Sequence, residues 1–76
     1  MKYKNEIESI FRELFYEDWM DEEDFQELIS EMFKETNMSY EILSIQIDVG
    51  INNGYSLEFQ IDMLKNIFSQ MKEREV

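Results

Sequence analysis

The sequence predicts an α+β domain in which two antiparallel helices are followed by a β-hairpin and a C-terminal helix, in the order ααββα. Three observations carry that expectation. In the first half, apolar residues recur at i, i+3, i+4 and i+7 in two separate stretches. Between Leu43 and Met63 the period falls to two, and from Leu64 to Met71 it returns to helical spacing.

In the first stretch, Ile7, Ile10, Phe11 and Leu14 share one helical face, and Asn5 followed by Glu8 fits a capping pair, so a helix is predicted from about Glu6 to Asp18. Phe25, Leu28, Ile29, Met32 and Phe33 repeat the pattern and predict a second helix from about Glu22 to Glu35. The stripe stays in phase across both, but one continuous helix would put Asp18 and Asp21 inside the apolar seam. Asp is poor there and good as an N-cap, so a break between Trp19 and Asp21 with Asp21 capping the second helix is the more economical reading. The acids that follow then suit the positive end of the helix dipole.

Leu43, Ile45, Ile47, Val49 and Ile51 alternate with polar residues and glycine. After Asn52-Asn53-Gly54, so do Tyr55, Leu57, Phe59, Ile61 and Met63. A three-residue loop with Gly54 left-handed pairs Ile51 with Tyr55, Val49 with Leu57 and Ile47 with Phe59 on one face. A lone hairpin is unstable, so that face is expected to lie on the helices. The final helix is predicted from about Asp62 to Glu73, with Leu64, Ile67, Phe68 and Met71 inward and Lys72 and Arg74 at its C-terminal end. The rival architecture is an all-α four-helix bundle. In it Ser39 and Ser56 cap two helices, Asn53-Gly54 ends the first of them, Leu57, Ile61, Leu64, Phe68 and Met71 form a seam, and Ile47, Ile51, Phe59 and Met63 lie off the main face.

Seventy-six residues make one domain, which at this size buries only about 60% of its unfolded surface. Neither Cys nor His is present, so there is no disulfide, no thiolate zinc site and no imidazole base. Stability must come from packing or self-association, for which an aromatic content of 14% is ample material. A net charge of −11 repels phosphates and anionic lipid, which argues against direct binding of nucleic acid or a membrane surface and favours a basic partner. No apolar run approaches the roughly 20 residues of a membrane span, and Met1 to Glu6 leads into a charged helix rather than a signal peptide, so the chain reads as complete and cytoplasmic.

The candidate site is the stretch from Glu13 to Glu31. It holds nine of the chain's 18 acids, Glu13, Glu17, Asp18, Asp21, Glu22, Glu23, Asp24, Glu27 and Glu31, with no Lys, Arg or His among them. Arg12 and Lys34 border the block without entering it. Leu14, Phe15, Phe25, Leu28 and Ile29 interleave at helical spacing, so the charge is mounted on structure. Glu23, Glu27 and Glu31, four apart, stack on one helical face, and like charges at that spacing cost roughly 0.2–0.5 kcal/mol per pair. Tyr16, Trp19 and Met20 fall at the corner between the two helices, where an aromatic either closes the core or anchors a partner. The expected partner-binding residues are Glu13, Tyr16, Glu17, Asp18, Trp19, Asp21, Glu23, Asp24, Glu27 and Glu31.

Other chemistry finds little support. The spacing of Asp18, Asp21 and Asp24 departs from a calcium loop, and no cofactor or metal is expected. The serines have no His to activate them, no glycine-rich phosphate loop exists, and paired carboxylates on a chain this short leave little room for a substrate cleft. The chain is therefore expected to bind rather than catalyse.

The segregated acids on a short chain without Cys or His resemble the small acidic inhibitors carried by phages and mobile elements, including anti-CRISPR and anti-restriction proteins, some of which mimic DNA. That resemblance implies a basic, nucleic-acid-handling target whose groove is blocked, inside the host cytoplasm. Two alternatives are an antitoxin or immunity-type protein that recognises its target through Phe15, Tyr16 and Trp19, and a homo-oligomer formed through the edges of the hairpin.

Overall fold

The computed structural model describes residues 1–74 and is 78% helical. Four helices follow one another: α1 (Lys4–Phe15), α2 (Glu22–Thr36), α3 (Tyr40–Asn52) and α4 (Leu57–Arg74). The α+β expectation is therefore overturned: among the described residues there is no strand, and the hairpin from Leu43 to Met63 is replaced by α3 and the start of α4.

Local chemistry explains why helix wins. Ser39 accepts from the Ile42 amide at 3.1 Å and Ser56 from the Phe59 amide at 3.1 Å, giving each helix a side-chain N-cap. The Asn-Gly pair ends α3 rather than turning a hairpin. Gly54 takes φ +95°, the Gly54 amide donates to the Ile51 carbonyl at 3.0 Å and the Tyr55 amide to the Gly50 carbonyl at 3.0 Å, which is the Schellman arrangement. Within the alternating run, Leu43 and Ile47 stand four apart and are buried, whereas Ile45, Val49 and Ile51 face water. The all-α rival thus describes the caps and the α4 seam correctly, but Ile47 belongs to the core.

The first two helices keep close to their expected places. α1 starts two residues early, with Tyr3 left-handed at φ 64° and the Ile7 amide donating to its carbonyl at 3.0 Å, so Asn5 lies inside the helix and caps nothing. That turn is tied to α3, where the Ser44 hydroxyl donates to the Lys2 carbonyl and Lys2 pairs with Asp48 at 3.3 Å. α1 stops at Phe15, three residues short of Asp18. Tyr16 turns extended (φ −72°, ψ 127°), and its amide still donates to the Arg12 carbonyl. Asp21 caps α2 as expected. Its carboxylate accepts from the Asp24 amide at 2.8 Å, and Asp24 returns the bond from the Asp21 amide at 3.3 Å. The helix predicted from Asp62 to Glu73 is the C-terminal part of α4, which begins at Leu57.

α1 is the central helix. It packs along α4 and against α3, and α3 packs in turn on α4. α2 closes the core with Phe25, Ile29 and Met32. Phe11 is the hub: its ring stacks on Phe68 at 4.7 Å, meets Phe33 edge-on at 5.4 Å and lies 6.1 Å from Phe15. Phe33 continues the cluster edge-on to Tyr40 at 5.0 Å. Burial and the neighbouring Glu8 carboxylate push the Tyr40 phenol up to about 12.

Candidate functional site

The connection between α1 and α2, Tyr16 to Asp21, is short and fixed at both ends. The Met20 amide donates to the Glu17 carbonyl at 3.0 Å, and the Tyr16 hydroxyl donates to the Met20 carbonyl at 3.0 Å, closing the loop on itself. The Tyr16 ring meets Phe25 edge-on at 5.4 Å. Arg12 clamps the corner. Its guanidinium lies 5.2 Å from the Tyr16 ring and 4.6 Å from the Phe25 ring, and it forks onto Glu22 at 2.6 and 3.0 Å. A weaker contact to Glu8 at 3.4 Å completes its set. The ion pair holds the Glu22 carboxyl below its ordinary value and the Arg12 guanidinium above its own.

This clamp leaves Trp19 outside. The indole is 73% exposed and makes no aromatic contact among the described residues. Its neighbours Glu17, Asp18 and Asp21 are exposed as well. Tyr16, at 37% exposure, forms the inner wall of the corner rather than its tip. Phe15, expected beside Trp19 in an aromatic patch, points into the core and is buried.

The acidic block is one stretch of sequence but three places in space. Glu13 faces α4 and pairs with Lys65 at 3.0 Å. Glu22 is taken by Arg12, so Arg12 reaches into the block that it borders in sequence. Asp21 and Asp24 face each other across the capping box. What remains on α2 is Glu23, Glu27 and Glu31, which with Gln26 and Ser30 line one shallow, open face. None of these three forms an ion pair among the described residues. The structure thus gathers Tyr16, Glu17, Asp18, Trp19 and Asp21 at the corner, sets Glu23, Glu27 and Glu31 in a row leading from it, and separates Glu13.

Sequence reasoning missed the role of Arg12. Its place at the end of the first apolar stripe, four residues after Glu8 and beside the only connection rich in aromatics, is the signal that could have found it. Among the described residues there is no group of three or more Asp and Glu placed to hold a metal ion, no buried side-chain polar atom lacking a partner, and no helix long and apolar enough to cross a membrane.

Fold and site together define a small all-α domain with an acidic corner tipped by one exposed tryptophan. A scan against known protein families, a search of curated proteins and a search of solved structures each find no match.

Proposed function

We propose that this is a non-enzymatic binding protein of the antitoxin or immunity type, which engages a basic, nucleic-acid-handling partner protein through the corner between α1 and α2. The observation that carries this reading is Trp19, held 73% in water on a loop whose two ends are both fixed. An indole in that position adds nothing to this chain's own core, and transferring it from water is a gain that only a partner can supply. Because the loop is already ordered, little conformational entropy is lost on binding. Glu17, Asp18 and the row Glu23, Glu27, Glu31 supply the field that steers a cationic surface toward the indole.

A second reading has its own support. The row on α2 is free of cations among the described residues, and such a surface suits an inhibitor that occupies a Lys/Arg-lined groove in place of DNA. The two readings differ in what carries the affinity. Partner proteins are recovered from the native host at low and high salt with wild type, with Trp19→Ala and with Glu23, Glu27 and Glu31 all changed to Lys. On the leading reading Trp19→Ala loses at least about 30-fold in affinity, as a hot-spot residue does, and the charge variant binds more slowly. If Trp19→Ala binds normally and the charge variant not at all, the groove-blocking reading replaces it.

A further inference from the structure

The side chains that the hairpin expectation placed in the core form instead an exposed apolar face across α3 and α4. Its centre is a groove of about 130 Å³ between the two helices, floored by Leu43, Ile47 and Leu64 and rimmed by Gln46, Gln60, Met63 and Ile67. A second recess beside Tyr55 and Phe59 shares Gln60 and Met63 with it, so the two are continuous. On α3, Ile42 and Val49 stand one turn either side of Gln46 and extend the same surface, with Ile45 next to both. On α4, Phe59, Met63 and Ile67 recur every four residues, and the Phe59 ring stacks on Tyr55 at 5.5 Å. These residues of α3 and α4, with Tyr55, are each between 42% and 55% exposed. No charged residue lines either recess.

We infer that this face is the interface of a homodimer, covered by a second copy of the same chain. The exposed apolar surface comes to roughly 700 Å² per copy, more than the few hundred that monomers usually show. Paired with itself it buries at most about 1,400 Å², which reaches the roughly 1,200–2,000 Å² of stable complexes when most of the face is covered. Charge selects the occupant. Each copy carries −11, and this face is where two copies meet with the fewest carboxylates between them: no acid lines either recess and the acids from Glu13 to Glu31 lie outside it, while Glu41, Asp48 and Asp62 of the same two helices stand at its margin, one turn from Ile45 and Phe59. A basic partner, by contrast, is drawn to the carboxylates. The face also matches itself: the groove accepts one aliphatic side chain, Met63 and Ile67 stand on its rim as the side chains to fill it, and the Gln46 amide can both donate and accept across a two-fold axis, while the Gln60 amide is held within the chain, donating to the Ile47 carbonyl at 3.1 Å.

The inference is independent of the proposed partner site, and its test is the mass in solution. Sedimentation of the full chain from low micromolar to millimolar concentration is expected to show a species of twice 9.3 kDa that dissociates on dilution. Met63→Glu and, separately, Val49→Lys each place charge at the centre or flank of the face at positions already half in water. Each is expected to weaken dimerisation at least about 30-fold, with the helical circular dichroism unchanged. Trp19→Ala leaves the mass as in wild type. A wild type that stays monomeric throughout the range, including one whose face is covered only by a different protein, overturns the inference. So does a dimer that survives both substitutions.

Discussion

Glu27→Lys is expected to make this protein more stable. Glu27 sits between Glu23 and Glu31 on the exposed face of α2, one turn from each, and none of the three has a cationic partner among the described residues. Each of the two like-charge pairs costs roughly 0.2–0.5 kcal/mol, and a lysine at the middle position turns both into attractions of similar size. The gain is therefore about 1–2 kcal/mol at low ionic strength. For a domain of this size that raises the melting temperature by about 4–16 °C. Glu27→Gln removes the repulsions without adding the attractions and should give about half as much. The assay is thermal and urea unfolding followed by circular dichroism, in dilute buffer and again near 1 M salt, where a Debye length of about 3 Å erases most of the difference. The same substitution should slow association with a cationic partner, so stability and binding move in opposite directions. A variant that is no more stable than wild type in dilute buffer would mean that the row is already neutralised, and the steering field would lose its source.

Other outcomes follow from the packing. Phe11→Ala empties the hub of the aromatic cluster and should cost about 3–5 kcal/mol, between about a quarter and all of the roughly 4–11 kcal/mol available to a domain of this length, so the melting temperature and urea midpoint followed by circular dichroism should both fall steeply. Tyr40, whose phenol is pushed up to about 12 from an ordinary 10.0, stays protonated in the folded state while the unfolded chain ionises. Its contribution is whole below pH 10 and is lost as the pH rises toward 12, so a urea titration series over that window should show a downward slope that is shallower in Tyr40→Phe. Glu22 gives the opposite sign. Its carboxyl is lowered from 4.5 by Arg12, so the stability from that pair is present above pH 4.5 and disappears as the pH falls through the folded value, and Glu22→Gln should flatten that part of the acid limb.

The first half of the fold was legible because its signals agree with one another. Asp21 is a poor seam residue and a good cap, the acids behind it suit a helix N-terminus, and the apolar stripes on either side are unambiguous at helical period. The second half misled because alternation does not separate a strand from a helix that leaves an apolar flank in water. Leu43 and Ile47 fit both. Ile45, Val49, Phe59 and Met63 argue for a strand only if the monomer must bury them, and in the structure all four stay about half exposed. Ser39, Ser56 and Gly54 carried the correct answer locally, each as a cap. In the candidate site, the exposure of Trp19 was undecided by sequence, since a corner aromatic closes a core as readily as it leaves one. In the structure it is Arg12, and not the indole, that lies over Tyr16 and Phe25.

Trp19 is the only tryptophan in the chain, so its fluorescence reports on the proposed anchor alone. The most direct measurement is acrylamide quenching of that emission in the free protein and in complex with the partner recovered from the host. Efficient quenching in the free protein, with strong protection in the complex, is the predicted result. An indole already shielded when free, or one quenched equally well in both states, contradicts the claim that this corner is where the partner binds.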